Sequence, residues 1–215
     1  MMTAVVSGSS SGIGRAAAEK FLREGFRVEG YDISESAISH EGYRHTVHDI
    51  RNELPAAPDA DIVVCSAGTL DEKDAIAVNL TGTIRFIEAF IEKPSLKSVL
   101  IVASASARNG AEFPMYVASK AGIVGYMKNL ALRLAPRKVT VNSVSPGGVI
   151  TPANRHILES DKLYAAVRAE TLLGKWAEPE EIADLIFYLT AVNRSITGED
   201  ILIDNGEMLK SNFIW

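Results

Sequence analysis

Thr3-Ala4-Val5-Val6-Ser7-Gly8-Ser9-Ser10-Ser11-Gly12-Ile13-Gly14 is the stretch whose reading decides the fold. Its first five residues form a short apolar run of the kind that makes a buried strand, and a helical pattern follows over 13–24. The glycines therefore lie at a strand-to-helix junction, where an open parallel sheet presents its carboxyl edge. Gly8 suits a tight turn, Gly12 lets backbone approach a pyrophosphate, and Gly14 permits close helix packing. Ser10, Ser11 and Ile13 belong to the same candidate binding turn. A purely structural turn, with small residues that only permit packing, is the alternative. Three residues separate Gly8 from Gly12, which departs from G-x-G-x-x-G, and no Gly-Lys-Ser/Thr ending supplies a lysine for a γ-phosphate.

Outward from this turn, apolar or β-branched runs recur at 27–31, 62–65, 99–103, 139–144 and 201–204. Helical patterns lie between them at 79–92, 116–135 and 180–190, the last entered through Pro179-Glu180-Glu181. Strands that alternate with helices are parallel, because a crossover helix returns the chain to the same edge. The expectation is an α/β fold: a doubly wound parallel sheet, Rossmann-like, of about seven strands with helices on both faces. The 215 residues, 47% hydrophobic, suffice for one domain over 1–215. The less regular segment 151–176 is a candidate substrate lid.

A net charge of −5 opposes a general polyanion-binding role, so no nucleic-acid partner is expected. Cys65 is the only cysteine and cannot pair within the chain, which favours a reducing compartment, the cytoplasm. The amino terminus lacks a basic start and long apolar stretch, and no apolar run approaches membrane-spanning length. His40, His45, His48 and His156 show no ligand spacing, and no metal is expected.

Asp32 follows the second strand, about 20 residues beyond the glycine turn, where a carboxylate accepts hydrogen bonds from an adenosine ribose diol. That points to NAD over NADP, since a 2′-phosphate would bring a second negative charge beside Asp32 without a compensating cation at Ile33 or Ser11. The alternative is that Asp32 caps a helix over 34–39. Further along, Tyr116-Val117-Ala118-Ser119-Lys120 places a phenol and an ammonium on one helix face. A neighbouring cation and an oxidised nicotinamide favour phenolate and draw proton transfer toward working pH. By itself the pair also fits a tyrosine packed on a lysine stem. Ser104, twelve positions before Tyr116, ends an apolar strand and is placed to point into the same cleft.

In order and separation, Ser7-Gly8-x-x-x-Gly12-Ile13-Gly14, Asp49, Ala67-Gly68, Asn79, Ser104, Tyr116-x-x-x-Lys120 and Pro146-Gly147 resemble a single-domain short-chain dehydrogenase/reductase across nearly the whole chain. The resemblance implies an NAD-dependent oxidoreductase that interconverts a small or medium alcohol and its carbonyl. Tyr116 would be the general acid/base, Ser104 would orient the substrate oxygen, and Lys120 would bind the nicotinamide ribose. Asn79 would hold a water connecting Lys120 to solvent. Asp49 and Ile50 would meet the adenine, Ala67 and Gly68 the ribose path, and Pro146, Gly147, Val149 and Thr151 the nicotinamide end. A homodimer or homotetramer is implied, with 200–215 a candidate contact. A regulatory protein that binds NAD(H) on the same fold with little turnover is the competing function.

Several positions depart from the family pattern. Cys65-Ser66 stand where paired asparagines are common, so the bracing of the central strands must be rearranged; Cys65 reads as a buried small residue. Only ten residues, 69–78, separate Gly68 from Asn79, too few for the usual helix, which predicts a partly bare sheet face and altered subunit packing. Ser106 rivals Ser104, because a strand over 103–106 would point both hydroxyls to one side. The substrate pocket is expected from Ser106, Phe113, Met115 and 151–176, with Trp176 and Trp215 as packing anchors.

Overall fold

The computed structural model describes residues 1–54, 56–111 and 113–210. Six of its seven strands are the apolar runs: β1 (Thr3–Ser7), β2 (Arg27–Asp32), β4 (Ile62–Cys65), β5 (Ser98–Val102), β6 (Thr140–Pro146) and β7 (Asp200–Ile203). The seventh, β3 (Tyr43–Val47), alternates between half-buried and exposed residues, so no apolar run announces it. All pairs are parallel, in the order β3-β2-β1-β4-β5-β6-β7. Every residue of β4 and β5 is buried, as strands covered on both faces require. From β1 the chain winds outward to β3, then returns to build β4 to β7 on the other side. That reversal opens a crevice at the carboxyl ends between β1 and β4.

Helices cover both faces. On one, α1 (Gly12–Arg23) and α7 (Pro179–Phe187) pack through Ala17, Phe21, Ile182 and Ile186 against Val6, Val64 and Val144. α7 begins with the expected proline, and Glu178 and Glu181 exchange capping bonds there. On the other face, α2 (Thr83–Glu88) and α4 (Pro114–Leu134) bring Phe86, Ile87, Ile123 and Met127 onto Val5, Val63 and Val99. Three short helices complete the set: α3 (Ser106–Asn109), α5 (Arg155–Leu158) and α6 (Asp161–Ala169). Among the described residues, no helix is long and apolar enough to cross a membrane.

Three expectations are corrected. The bare sheet face beside 69–78 does not exist: no helix forms before Ala75, yet Val63 and Cys65 are sealed by Ile50, Phe86, Ile87 and Phe90. Exposure falls on the edge strand β3, where Val47 is half open to solvent. No helix forms over 34–39, so Asp32 caps none; its Oδ1 accepts from Ser34 N at 2.9 Å in a local turn. β5 ends at Val102, two residues before Ser104, and Ser106 opens α3, so strand alternation does not align the two serines. Trp215 and the end of the 200–215 segment lie outside the described residues.

Candidate active site

A cleft of about 910 Å³ lies along the carboxyl edge of the sheet. At its floor Gly8 (φ +72°) and Gly12 (φ +52°) occupy the left-handed region that disfavours side chains. A Cβ on Gly8 would stand 2.6 Å from Ala67 N, and one on Gly14 would stand 2.1 Å from Gly8 O. The turn therefore brings β1, the 66–68 loop and the start of α1 together only because these side chains are absent. Ser11, Gly12 and Ile13 line the cleft beside Gly8, whereas Ser10 and Gly14 do not. Ser10 N donates instead to Asp32 Oδ2 at 3.0 Å, which fixes the carboxylate against the turn. Asp32 thus holds two backbone amides and still faces the cleft.

Toward the outer end, Asp49 and Ile50 line the cleft with His48 and Arg51. Arg51 grips Asp49 through Nε and Nη2 at 2.9 and 2.7 Å, and this guanidinium holds the Asp49 carboxyl below the usual carboxylate range. His48 N donates to Asp32 O at 2.7 Å, while its ring meets Tyr31 edge-on. Ala67 and Gly68 form the middle of the wall. Ser7 braces the strand ends here: Ala67 N donates to its hydroxyl at 3.4 Å, and across the β1–β4 pair it stands opposite Cys65 with its buried thiol. Burial pushes that thiol up to about 12, so Cys65 is an inert core group.

Tyr116, Lys120 and Ser104 meet at the inner end of the same cleft. α4 starts at Pro114, so both members of the pair lie in its first two turns, with Lys120 Nζ 5.7 Å from the Tyr116 ring centre. Lys120 is buried, and Nζ donates to Val102 O at 2.9 Å, at the last residue of β5. Ser104 and Ser106 are buried with hydroxyls 2.9 Å apart, and Ser106 N donates to Ser104 Oγ at 3.2 Å. The two serines are therefore bonded to each other. Asn79 is buried beneath the wall and does not line it. Its amide accepts from Thr69 N (2.8 Å) and donates to Thr69 O (2.9 Å) and Ser119 Oγ (3.1 Å). Ser119 Oγ in turn donates to Tyr116 O at 2.7 Å. Asn79 sits within a π-helical turn, Ile76–Gly82, and such insertions often mark functional sites.

Pro146, Gly147, Val149 and Thr151 close the inner end. Thr151 meets the phosphate turn: a Cβ on Gly12 would stand 3.3 Å from its Cγ2. Phe113 and Met115 are exposed and lie outside the cleft, the first at the residue before α4 and the second in its first turn. Trp176 does pack, edge-on to Tyr164, but it also walls the cleft against Gly148. Sequence reasoning left out Thr69, Ser119, Arg51 and Glu207. Ser119 was open to notice, since it stands between Tyr116 and Lys120; Glu207 carried no local signal.

The residues fit a dinucleotide. The turn, kept open by Gly8, Gly12 and Gly14, leads into a twelve-residue helix, Asp32 presents a carboxylate to the cleft, and the cleft continues to Tyr116 and Lys120.

Comparison with known proteins agrees. The family model described as Enoyl-(Acyl carrier protein) reductase matches residues 37–207. An uncharacterised short-chain type dehydrogenase/reductase of Sinorhizobium fredii is 31% identical, over 96% of this chain and 97% of its own length. A longer Sinorhizobium fredii relative of the same description is 28% identical, and the match covers 95% of this chain but 43% of that protein. A solved structure described as 4-hydroxyisoleucine dehydrogenase complexed with NADH superposes with a TM-score of 0.88 at 25% identity, covering 98% of this chain and all of the other. The parallel sheet, cleft and matches define an oxidoreductase fold that binds NAD(P). The chain belongs to the short-chain dehydrogenase/reductase family.

Proposed function

We propose that the protein is an NAD-dependent dehydrogenase that interconverts a small or medium alcohol and its carbonyl, working as a single domain and as a homodimer or homotetramer. The observation that carries this reading is the convergence of Tyr116, Lys120 and Ser104 in the cleft that also holds Gly12 and Asp32. Bound nicotinamide supplies or removes the hydride. The remaining work falls to the chain. During reduction the Ser104 hydroxyl, braced by Ser106, donates to the substrate oxygen, and Tyr116 delivers the proton there. Lys120 favours the resulting phenolate by its charge; in oxidation Tyr116 takes the proton back. Asn79 acts through Thr69 and Ser119, keeping the cleft wall in place beside Tyr116.

Preference for NAD rests on the Asp32 charge, and a similar protein described as complexed with NADH supports it. Segment 151–176 serves as the substrate lid, since Asn154, Ile157 and Val167 face the cleft.

A screen of alcohols with NAD⁺ and carbonyls with NADH, read by NADH absorbance, tests the reading. Tyr116→Phe is expected to lower turnover by at least about a hundredfold. Equal activity in the variant removes Tyr116 as the proton donor. Tight NADH binding without turnover anywhere in the screen replaces the enzyme by the regulatory function.

A further inference from the structure

The first turn of α4 carries the proposed proton-transfer group, and the backbone donors of a first turn find no acceptor within their own helix. Pro114 has no N–H, and Val117 N donates to Phe113 O at 2.9 Å. Met115 N and Tyr116 N remain to be satisfied from outside. Phe113, the residue before the helix, makes no side-chain cap for them.

Glu72 fills that place from 43 positions upstream of Met115. Met115 N donates to its Oε1 and Oε2 at 3.1 and 3.3 Å, and Tyr116 N donates to Oε1 at 3.2 Å. A carboxylate suits the electropositive end of a helix by its charge as well as by its two acceptor oxygens. Glu72 is partly buried and does not line the cleft. It belongs to the short segment before Asn79, which is itself bound: Asp71 N donates to Thr69 Oγ1 at 3.1 Å, Lys73 N donates to Asp71 Oδ1 at 2.9 Å, and Thr69 is held by Asn79 through both its N–H and its carbonyl. Asn79 reaches Ser119, whose hydroxyl donates to Tyr116 O. One segment therefore grips Tyr116 from both sides, its N–H through Glu72 and its carbonyl through Asn79 and Ser119. The phenol projects from the Cα between those two groups, so its aim follows from them.

We infer that Glu72 is a positioning residue for proton transfer: by accepting the Met115 and Tyr116 amides it fixes the start of α4 and holds the Tyr116 phenol on the substrate side of the cleft. The inference rests on the reading of Tyr116 as the acid/base of a dehydrogenase. A reacting group misplaced by about 1 Å costs on the order of a hundredfold in rate. Lys120, one turn further on, keeps its own anchor on Val102 O, so loss of the Glu72 contact falls on turnover and leaves the nicotinamide ribose contact in place.

The test measures kcat, KM for NADH and Tm in wild type, Glu72→Ala, Glu72→Gln and Glu181→Ala, with the fastest carbonyl of the NADH screen as substrate. Glu181→Ala removes the capping carboxylate at the start of α7, away from the cleft, and so reports what a lost cap does through stability alone. Glu72→Ala is expected to lower kcat at least about tenfold with KM for NADH unchanged. Glu72→Gln, which keeps an acceptor oxygen of the same reach, should restore most of the turnover, and Glu181→Ala should keep it all. Wild-type kcat in Glu72→Ala overturns the inference, as does a loss in Glu72→Gln as large as in Glu72→Ala, or the same loss in Glu181→Ala. Amide hydrogen exchange gives a readout without turnover: Met115 and Tyr116 should exchange at least about tenfold faster in Glu72→Ala than in wild type or Glu72→Gln. Equal rates overturn the inference, whereas a wild type that protects both amides but turns over nothing in the screen overturns only the dehydrogenase reading.

Discussion

Asp32 carries two duties with one carboxylate. It accepts the amides of Ser10 and Ser34, which ties the phosphate turn to the loop after β2, and it presents negative charge to the cleft. Removing the side chain would loosen the turn and weaken NADH and NADPH alike, so the affinity ratio isolates the charge. Asp32→Asn keeps an acceptor oxygen and loses the charge, which separates the duties further. Both Asp32→Ala and Asp32→Asn are expected to narrow the NADH preference by about tenfold, one pKa-unit equivalent of electrostatic discrimination. Titration of both nucleotides by protein fluorescence checks it, and an unaltered ratio would remove Asp32 from cofactor selection. At this scale the sequence was readable where a residue type has few uses in its position. Gly8 and Gly14, each pressed against backbone where a side chain would not fit, are of that kind. Roles that depend on a distant partner were not readable: Ser10 turns its amide to Asp32, and Asn79 holds Thr69 and Ser119 rather than lining the wall.

Elements were legible when their apolar period was uninterrupted. α1 and α4 lie within two residues of the predicted limits, and the central strands nearly coincide with theirs, because both kinds are set by burial of a regular pattern. β3 was harder to read, since a half-exposed edge strand needs few apolar residues. The π-helical turn over Ile76–Gly82 was also hidden, because one extra residue in a hydrogen-bonded ring leaves little mark on periodicity. α2, which follows that turn, is tied to α4 by Glu88. Its carboxylate accepts from Arg133 Nη1 at 2.6 Å and from Tyr126 Oη at 2.7 Å. The Arg133 guanidinium, more than the Tyr126 hydroxyl, holds Glu88 below the usual carboxylate range, against a smaller effect of burial. A depressed folded value contributes stability that is present above the ordinary carboxylate value and lost as pH falls through the folded one. Glu88→Gln should therefore lower Tm at neutral pH, by a modest amount because the pair is partly open to solvent. The gap from wild type should close on acidification through that window. Tm measured for both proteins across pH checks this, and a gap independent of pH would show that the tie is not ionic.

The whole molecule places its proposed cofactor contacts at the ends of five strands, from Gly8 to Thr151, so a bound dinucleotide would bridge segments far apart in the chain. A ligand that binds only the folded state stabilises it by mass action, about 2.7 kcal/mol at a hundred times Kd. For a chain of this size that corresponds to a rise in Tm of roughly 5–10 °C. Gly14 decides whether the effect survives, because a Cβ there would stand 2.1 Å from Gly8 O and 2.7 Å from Gly8 C, both backbone atoms that cannot swing aside. In Gly14→Ala, α1 must move off the phosphate turn, and the amides at its start lose their common focus. The variant is expected to melt lower than wild type and to lose most of the NADH-dependent rise. Gly125→Ala is the control: the glycine is exposed on α4 and its Cβ position meets nothing beyond the helix's own backbone within 4 Å, so the substitution should favour the helix and keep the rise intact. Thermal melts over a series of NADH concentrations measure both. A full NADH-dependent rise in Gly14→Ala would mean that the junction of β1 and α1 does not hold the dinucleotide, and the cofactor would have to be placed elsewhere on the sheet edge.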